Sequence, residues 1–154
     1  MIKVLFVCHG NICRSPMAEF ILKDMVAKMG LADKFVIASA ATSREEIGNP
    51  VHHGTRNKLA PLGISTKGKT AIQVTKKDYE YYDYLLIMDK NNERNILRLL
   101  NKSAAPKVSR LLDFSKNPRD IADPWYTGNF DLTYDDIVEG CHSFLEHLKS
   151  NGEI

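Results

Sequence analysis

The order of elements along this chain predicts an α/β fold: one domain, residues 1–154, with a four-stranded parallel sheet covered by helices on both faces. Three observations carry that expectation. Short apolar, β-prone runs alternate with stretches of helical period, the pattern of strands joined by helical crossovers into a parallel sheet. At 154 residues and 44% hydrophobic content, the chain suits one core. No repeat, low-complexity run or linker interrupts it. The first strand is read at Ile2 to Val7. A helix follows from Met17 to Met29, where Ala18, Ile21, Leu22, Met25 and Met29 recur at helical spacing. A second strand is placed near Phe35 to Ala38, and a helix near Thr55 to Leu62, with Pro61 and Gly63 as stop signals. The third strand covers Tyr84 to Met88, a helix covers 91–100, and the fourth strand lies near Lys107 to Ser109. The last helix, 134–149, carries Ile137, Val138, Cys141, Phe144, Leu145 and Leu148 as one buried stripe, with Thr133 and Asp136 as its expected N-cap pair.

Composition narrows the function. With 21 basic and 19 acidic residues and a formal charge of +2, the chain lacks the single-sign field that favours nucleic acid or an anionic membrane, so neither partner is expected. The apolar run Val4 to Cys8 is too short for a signal sequence or a membrane span, and nothing directs export. Three cysteines make an odd set with no disulfide framework, and a working thiolate needs a reducing compartment, so the cytoplasm is expected. Cys141 falls in the stripe of the last helix and reads as core. His52 and His53 precede a helix, while His142 and His147 point to different helical faces. No metal site and no other cofactor is expected.

The stretch Val7-Cys8-His9-Gly10-Asn11-Ile12-Cys13-Arg14-Ser15-Pro16 joins the first strand to the first helix. In an open sheet of this flavodoxin-like, doubly wound kind, ligands bind beyond the carboxyl ends of the strands, where this loop lies. Pro16 suits the first turn of a helix, and free backbone amides converge there at a positive helix end that binds anions. Those amides and the Arg14 guanidinium would stabilise a thiolate at Cys8. Arg14 also offers a planar fork matched to two phosphoryl oxygens, a geometry that lysine lacks. Cys8 and Cys13 share the loop, which allows a reversible disulfide under oxidation. His9 is read mainly as a backbone donor.

Cleaving a phosphate ester requires a proton for the leaving oxygen, so a carboxylic acid should reach the loop from elsewhere. Asp123-Pro124-Trp125-Tyr126 is the candidate, within a stretch from Asn117 to Asn129 that lacks helical period and reads as a long surface loop. A second motif competes. Gly63-Ile64-Ser65-Thr66-Lys67-Gly68-Lys69-Thr70 fits a nucleotide-binding pattern, and Leu85 to Asp89 could pass for its magnesium-binding strand. That pattern needs a strand before the first glycine, whereas Asn57 to Leu62 reads as a helix.

The string Cys-x-Gly-Asn-x-Cys-Arg-Ser-Pro near the N-terminus, with the late Asp123-Pro124-Trp125-Tyr126 segment, resembles the low-molecular-weight protein tyrosine phosphatases over nearly the whole chain. The resemblance implies hydrolysis of protein phosphotyrosine and small aryl phosphates through a cysteinyl-phosphate intermediate. Cys8 is then the nucleophile, Arg14 binds and stabilises the phosphoryl group, and Asp123 is general acid and base. The phosphate-binding loop comprises Cys8, His9, Gly10, Asn11, Ile12, Cys13, Arg14 and Ser15. Asn11 holds its strained backbone and Ser15 donates to the thiolate. Trp125 and Tyr126 wall the substrate slot with Ile12 and Glu45, Asp89 supports the loop, and Cys13 gives redox protection. Expected partners are phosphotyrosine-containing proteins, with a cognate tyrosine kinase.

Two departures stand out. Ser43-Arg44-Glu45-Glu46 places acid where many members carry an aromatic wall. Ala71-Ile72-Gln73 replaces an Ala-Arg-Gln common in bacterial relatives. Protein-arginine phosphatases look similar but tend to carry Thr where this chain has Ile12, so Ile12 favours phosphotyrosine. Thioredoxin-coupled arsenate reductases share the fold and loop but need further cysteines after the middle of the chain, and Tyr79 to Asp89 has none. A catalytically silent phosphopeptide-binding module would lack the nucleophile or the acid, and both are present.

Overall fold

The computed structural model of the chain describes residues 1–103 and 105–154. Its centre is β1 (Ile2–Cys8), which is buried from Val4 onward because both of its faces are covered. Side chains alternate across a strand. Val4, Phe6 and Cys8 therefore enter one apolar cluster with Met17, Leu22, Ile137 and Phe144, while Leu5 and Val7 enter a second with Leu85, Ile87, Ile96 and Leu100. Such continuous apolar runs are what a parallel sheet covered on both faces requires.

β1 pairs in parallel with β2 (Phe35–Ala41) on one side and β3 (Tyr84–Ile87) on the other, and β4 (Val108–Arg110) closes the order β2-β1-β3-β4. The fold is the expected four-stranded, all-parallel α/β domain. The strand order reverses at β1, with β2 on one side and β3 on the other, so the loop after β1 emerges at the switch point where such sheets bind ligands.

On the first face lie α1 (Arg14–Lys28) and α6 (Phe130–Ser150), in contact with each other. Among the helices, α2 (His53–Leu59) touches α1 and α6, and α4 (Lys90–Leu99) supplies Ile96 to the opposite face. The described residues include two α-helices outside the expected eight elements. One is α3 (Lys76–Tyr81), closed by a capping box in which Thr75 Oγ1 accepts from Asp78 N and Asp78 accepts from Thr75 N. The other is α5 (Pro124–Thr127), a single turn inside the stretch read as loop.

One expected cap is corrected. α6 starts at Phe130, four residues before the expected 134, because Gly128 turns the chain at φ +70° and the Asn129 side chain accepts from Leu132 N at 3.0 Å. Thr133 instead donates back to the Asn129 carbonyl, and Asp136 pairs with Arg119. The helix ending near Leu62 is confirmed as α2 plus a 3-10 turn, Ala60–Leu62, capped by Gly63 at φ +75°. The segment leading directly into Gly63 is helical and not a strand, so the nucleotide-binding pattern lacks its scaffold. No helix among the described residues is long and apolar enough to cross a membrane.

Candidate active site

Cys8 ends β1 and Arg14 opens α1, so the five residues between them must turn the chain sharply. Asn11 makes the turn in the left-handed region at φ 59°, which asparagine tolerates better than most residues. Its side chain then holds the loop. Oδ1 accepts from Ile72 N at 3.2 Å, and Nδ2 donates to both Ser15 Oγ (2.7 Å) and Ser39 Oγ (2.9 Å). Because the Ser15 oxygen accepts from Asn11, its proton is free for Cys8 Sγ, 3.0 Å away. The Ser39 proton goes to Glu19 Oε1 at 2.6 Å. Asn11 N reaches Cys8 Sγ at 3.3 Å, so the sulfur faces two donors. The amides of Gly10, Ile12, Cys13 and Arg14 have no acceptor among the described residues, as an anion cradle requires.

Arg14 is 2% exposed and held on three sides. Nη1 donates to Asp89 Oδ2 (2.6 Å) and to the Ile121 carbonyl (2.7 Å), and Nη2 donates to Asp123 Oδ2 (3.3 Å). Burial by itself would lower the guanidinium pKa. Cys8, Asp89 and Asp123 outweigh it and hold the pKa above its ordinary value. Asp89 is committed on both oxygens, since Oδ1 also accepts from Asn92 N to cap α4. Asp123 is held less tightly by Arg14 and lines the cleft. Its Oδ1 accepts from Trp125 N as the N-cap of α5, and its side chain keeps 23% exposure at the cleft.

The cleft has a volume of about 110 Å³, with Cys8, Cys13 and Arg14 in its lining and Ile12, Glu45, Asp123, Trp125 and Tyr126 around them. The sequence-predicted residues thus meet at one place, although they come from β1, its loop, the segment after β2 and the turn before α6. Ile12 is buried against Cys13 and Ala71, with Phe130 packed on them. Trp125 sits edge-on to His52, and His52 stacks on Phe130. Tyr126 is 82% exposed. His9 does more than donate from its backbone, because Nε2 pairs with Glu45 Oε2 at 2.8 Å and ties that carboxylate to the rim. Burial, the Cys8 sulfur and Asp123 push the Cys13 thiol up to about 12.

Residues 3–153 match the family described as low molecular weight phosphotyrosine protein phosphatase. The chain belongs to that family. It is 40% identical over its whole length, and over the whole of the relative, to the low molecular weight protein-tyrosine-phosphatase YfkJ of Bacillus subtilis. The crystal structure of that Bacillus subtilis protein superposes with a TM-score of 0.91 at 42% identity, covering 98% of this chain and 96% of the other. The crystal structure of DARP, a drosophila arginine phosphatase, superposes with a TM-score of 0.86 at 31% identity, covering 96% of this chain and 98% of the other.

The resemblance and the fold expected from the sequence therefore hold, and the chain is a hydrolase of the low-molecular-weight phosphatase family. Three members of its site escaped the sequence reading. Ser39 and Glu19 carry the network behind Cys8, and His52 donates its amide to the Ile12 carbonyl at 2.8 Å. Glu19 had a signal. It falls four residues after Ser15 and three before Leu22, on the inward face of α1.

Proposed function

We propose that the chain, residues 1–154 acting as one phosphatase domain, hydrolyses protein phosphotyrosine and small aryl phosphates through a cysteinyl-phosphate intermediate. The observation that carries this reading is Cys8 Sγ between the Ser15 hydroxyl and the Asn11 amide, in a cleft shared with Arg14 and Asp123. The Cys8 thiolate attacks phosphorus while the bond to the phenolic oxygen breaks, and Asp123 delivers its proton to that oxygen. Arg14 and the free amides bind the phosphoryl oxygens, most tightly as the group flattens. In the second step Asp123 takes a proton from water as it attacks phosphorus, and the sulfur leaves as thiolate. Ile12, Trp125 and Tyr126 offer apolar walls to an aryl ring, and Cys13 guards the nucleophile against irreversible oxidation. The compartment is the cytoplasm, and the partners are phosphotyrosine proteins and a cognate tyrosine kinase.

One observation favours a second reading, protein-arginine phosphatase activity. Glu45 and Glu46 line the cleft with carboxylates suited to a guanidinium. Arsenate reduction finds no support, since the third cysteine, Cys141, is fully buried and its thiol pKa is raised by that burial.

Turnover of phosphotyrosine, phosphoarginine and arsenate is measured side by side, with and without EDTA. Phosphotyrosine is expected to dominate at a rate that EDTA leaves unchanged. Cys8→Ser is expected to abolish turnover while still binding phosphate, and full activity in that variant would sink the scheme.

A further inference from the structure

The segment Gly63 to Thr70, which carries a nucleotide-binding pattern without its strand, borders a second cavity of about 520 Å³. That volume lies in the range of small-molecule sites. Its lining brings together Arg56 from α2 and Lys67 and Lys69 from the segment, with Ser65 and Thr66 hydroxyls beside them and no carboxylate. Neither Arg56 nor Lys67 is ion-paired among the described residues. Lys69 is the inner member. Its side chain is 13% exposed, Nζ donates to the Ser39 carbonyl at 2.7 Å, and Glu19 Oε1 stands 3.9 Å away. Burial holds its pKa below the ordinary lysine value, even with Glu19 beside it.

We propose that this cavity binds a small phosphate-bearing polyanion through Arg56, Lys67 and Lys69, and that its occupancy reaches Cys8 through Lys69 and Ser39. Arg56 and Lys67, with Lys69 whose charge Glu19 partly offsets, raise the local concentration of anions at one concavity. Arg56 presents a fork that fits two phosphoryl oxygens, and the two lysines add point charges. A ligand of two or more negative charges answers all three.

The coupling follows from what Lys69 already holds. An ammonium has three protons, and Lys69 directs one to the carbonyl of Ser39, whose hydroxyl bridges Glu19 to Asn11. Asn11 in turn fixes Ser15 against the nucleophile. A phosphate drawing on Lys69 weakens its bond to Ser39 and loosens that series. Turnover should fall with little change in KM, because the cleft that receives substrate is a separate cavity.

The test uses the intact chain and inorganic pyrophosphate, with sodium chloride at matched ionic strength as control. Amide NMR shifts are expected at two sets of residues, 10–14 in the cleft and 65–69 at the cavity. In the double variant Arg56→Gln with Lys67→Gln, the second set should need about tenfold more pyrophosphate or more, while the midpoint for pyrophosphate binding in the cleft itself stays as in the wild type. In steady-state assays pyrophosphate should lower wild-type kcat about fivefold beyond its competition in the cleft, and in the double variant this fall should be absent at the concentrations that saturate the wild-type cavity. The proposal fails if shifts at 65–69 are absent, are matched by sodium chloride or keep the wild-type pyrophosphate midpoint in the double variant. An unchanged kcat with the cavity filled would overturn the coupling. The NMR arm needs no phosphatase activity, so it separates failure of this site from failure of the catalytic reading.

Discussion

Asp89 and Asp123 both contact Arg14, yet they stand in different chemical situations. Each spends one oxygen on Arg14 and the other on capping a helix, but Asp89 holds Arg14 at 2.6 Å away from the cleft lining, whereas Asp123 lines the cleft with a 3.3 Å contact that a substrate can displace. Asp123→Ala is therefore expected to slow aryl phosphate cleavage by about 10² to 10⁴, measured as kcat, and unchanged kinetics would assign the proton to another group. Cys13 poses a different contrast. Its thiol, pushed up to about 12 by burial, Cys8 and Asp123, stays protonated at neutral pH, so peroxide meets Cys8 first. Oxidation to the sulfenic acid removes the negative charge on Cys8, which is one of the causes of the raised value. The Cys13 sulfur can then attack the Cys8 sulfur and expel the hydroxyl as water. Mild peroxide should inactivate the enzyme and thiol should restore it, with mass spectrometry finding a Cys8–Cys13 disulfide. Finding only sulfinic or sulfonic products would refute the guard. Cys8, Arg14 and Asp123, which the fold brings to one cleft, were legible in the sequence because their types and spacing carry chemistry. Ser39 was not, since a serine within the apolar run Phe35 to Ala41 gives no sign of which partner it will meet.

Gly140 lies inside α6, where glycine is ordinarily worse than alanine by about 0.5–1 kcal/mol. A Cβ there would stand 2.4 Å from Leu111 Cγ, in the 3-10 turn Leu111–Phe114 that packs beneath the helix. Overpacking of this sort costs about 1–3 kcal/mol, so it outweighs the gain in helix propensity. Gly140→Ala should lower stability by about 1 kcal/mol, a fall in Tm of about 2–4 °C for a chain of this size. A rise in Tm would show that Leu111 gives way freely. The core-facing part of α6 was readable, because Ile137, Cys141, Phe144, Leu145 and Leu148 recur at helical spacing and all are buried, whereas Val138, expected in the same stripe, lies at its margin and is half-buried. Its start was not, since the cap depends on the left-handed turn at Gly128. α3 was missed for a related reason. Lys76 to Tyr81 buries only Tyr79, so it shows no apolar period, and its one signal was the Thr75 and Asp78 capping pair.

Across the whole molecule, the candidate site depends on bringing residue 123 back to a loop that starts at residue 8. Alternating strands and helices made the parallel sheet readable, but nothing local in sequence specifies how the segment after β4 returns to the cleft. Arg119 makes that connection. It donates to Asp136 and Glu139 on α6, while Ser115 also bonds Glu139, and Ile121, two residues on, gives its carbonyl to Arg14. Arg119, followed by the Ser115 hydroxyl, depresses the Glu139 carboxyl to about 2, well below the usual glutamate range. The native state therefore binds this proton less readily than the unfolded chain. The clamp's contribution is fully present above the ordinary glutamate pKa and disappears as pH falls toward 2. Glu139 is 41% exposed, so solvent screening keeps the contribution to the order of 1 kcal/mol or less. Comparing urea unfolding of the wild type and Glu139→Gln tests this directly. The wild type should be the more stable at pH 7, with the gap narrowing from about pH 5 downward as the carboxyl protonates. A gap independent of pH would place the effect of the substitution in packing instead of charge.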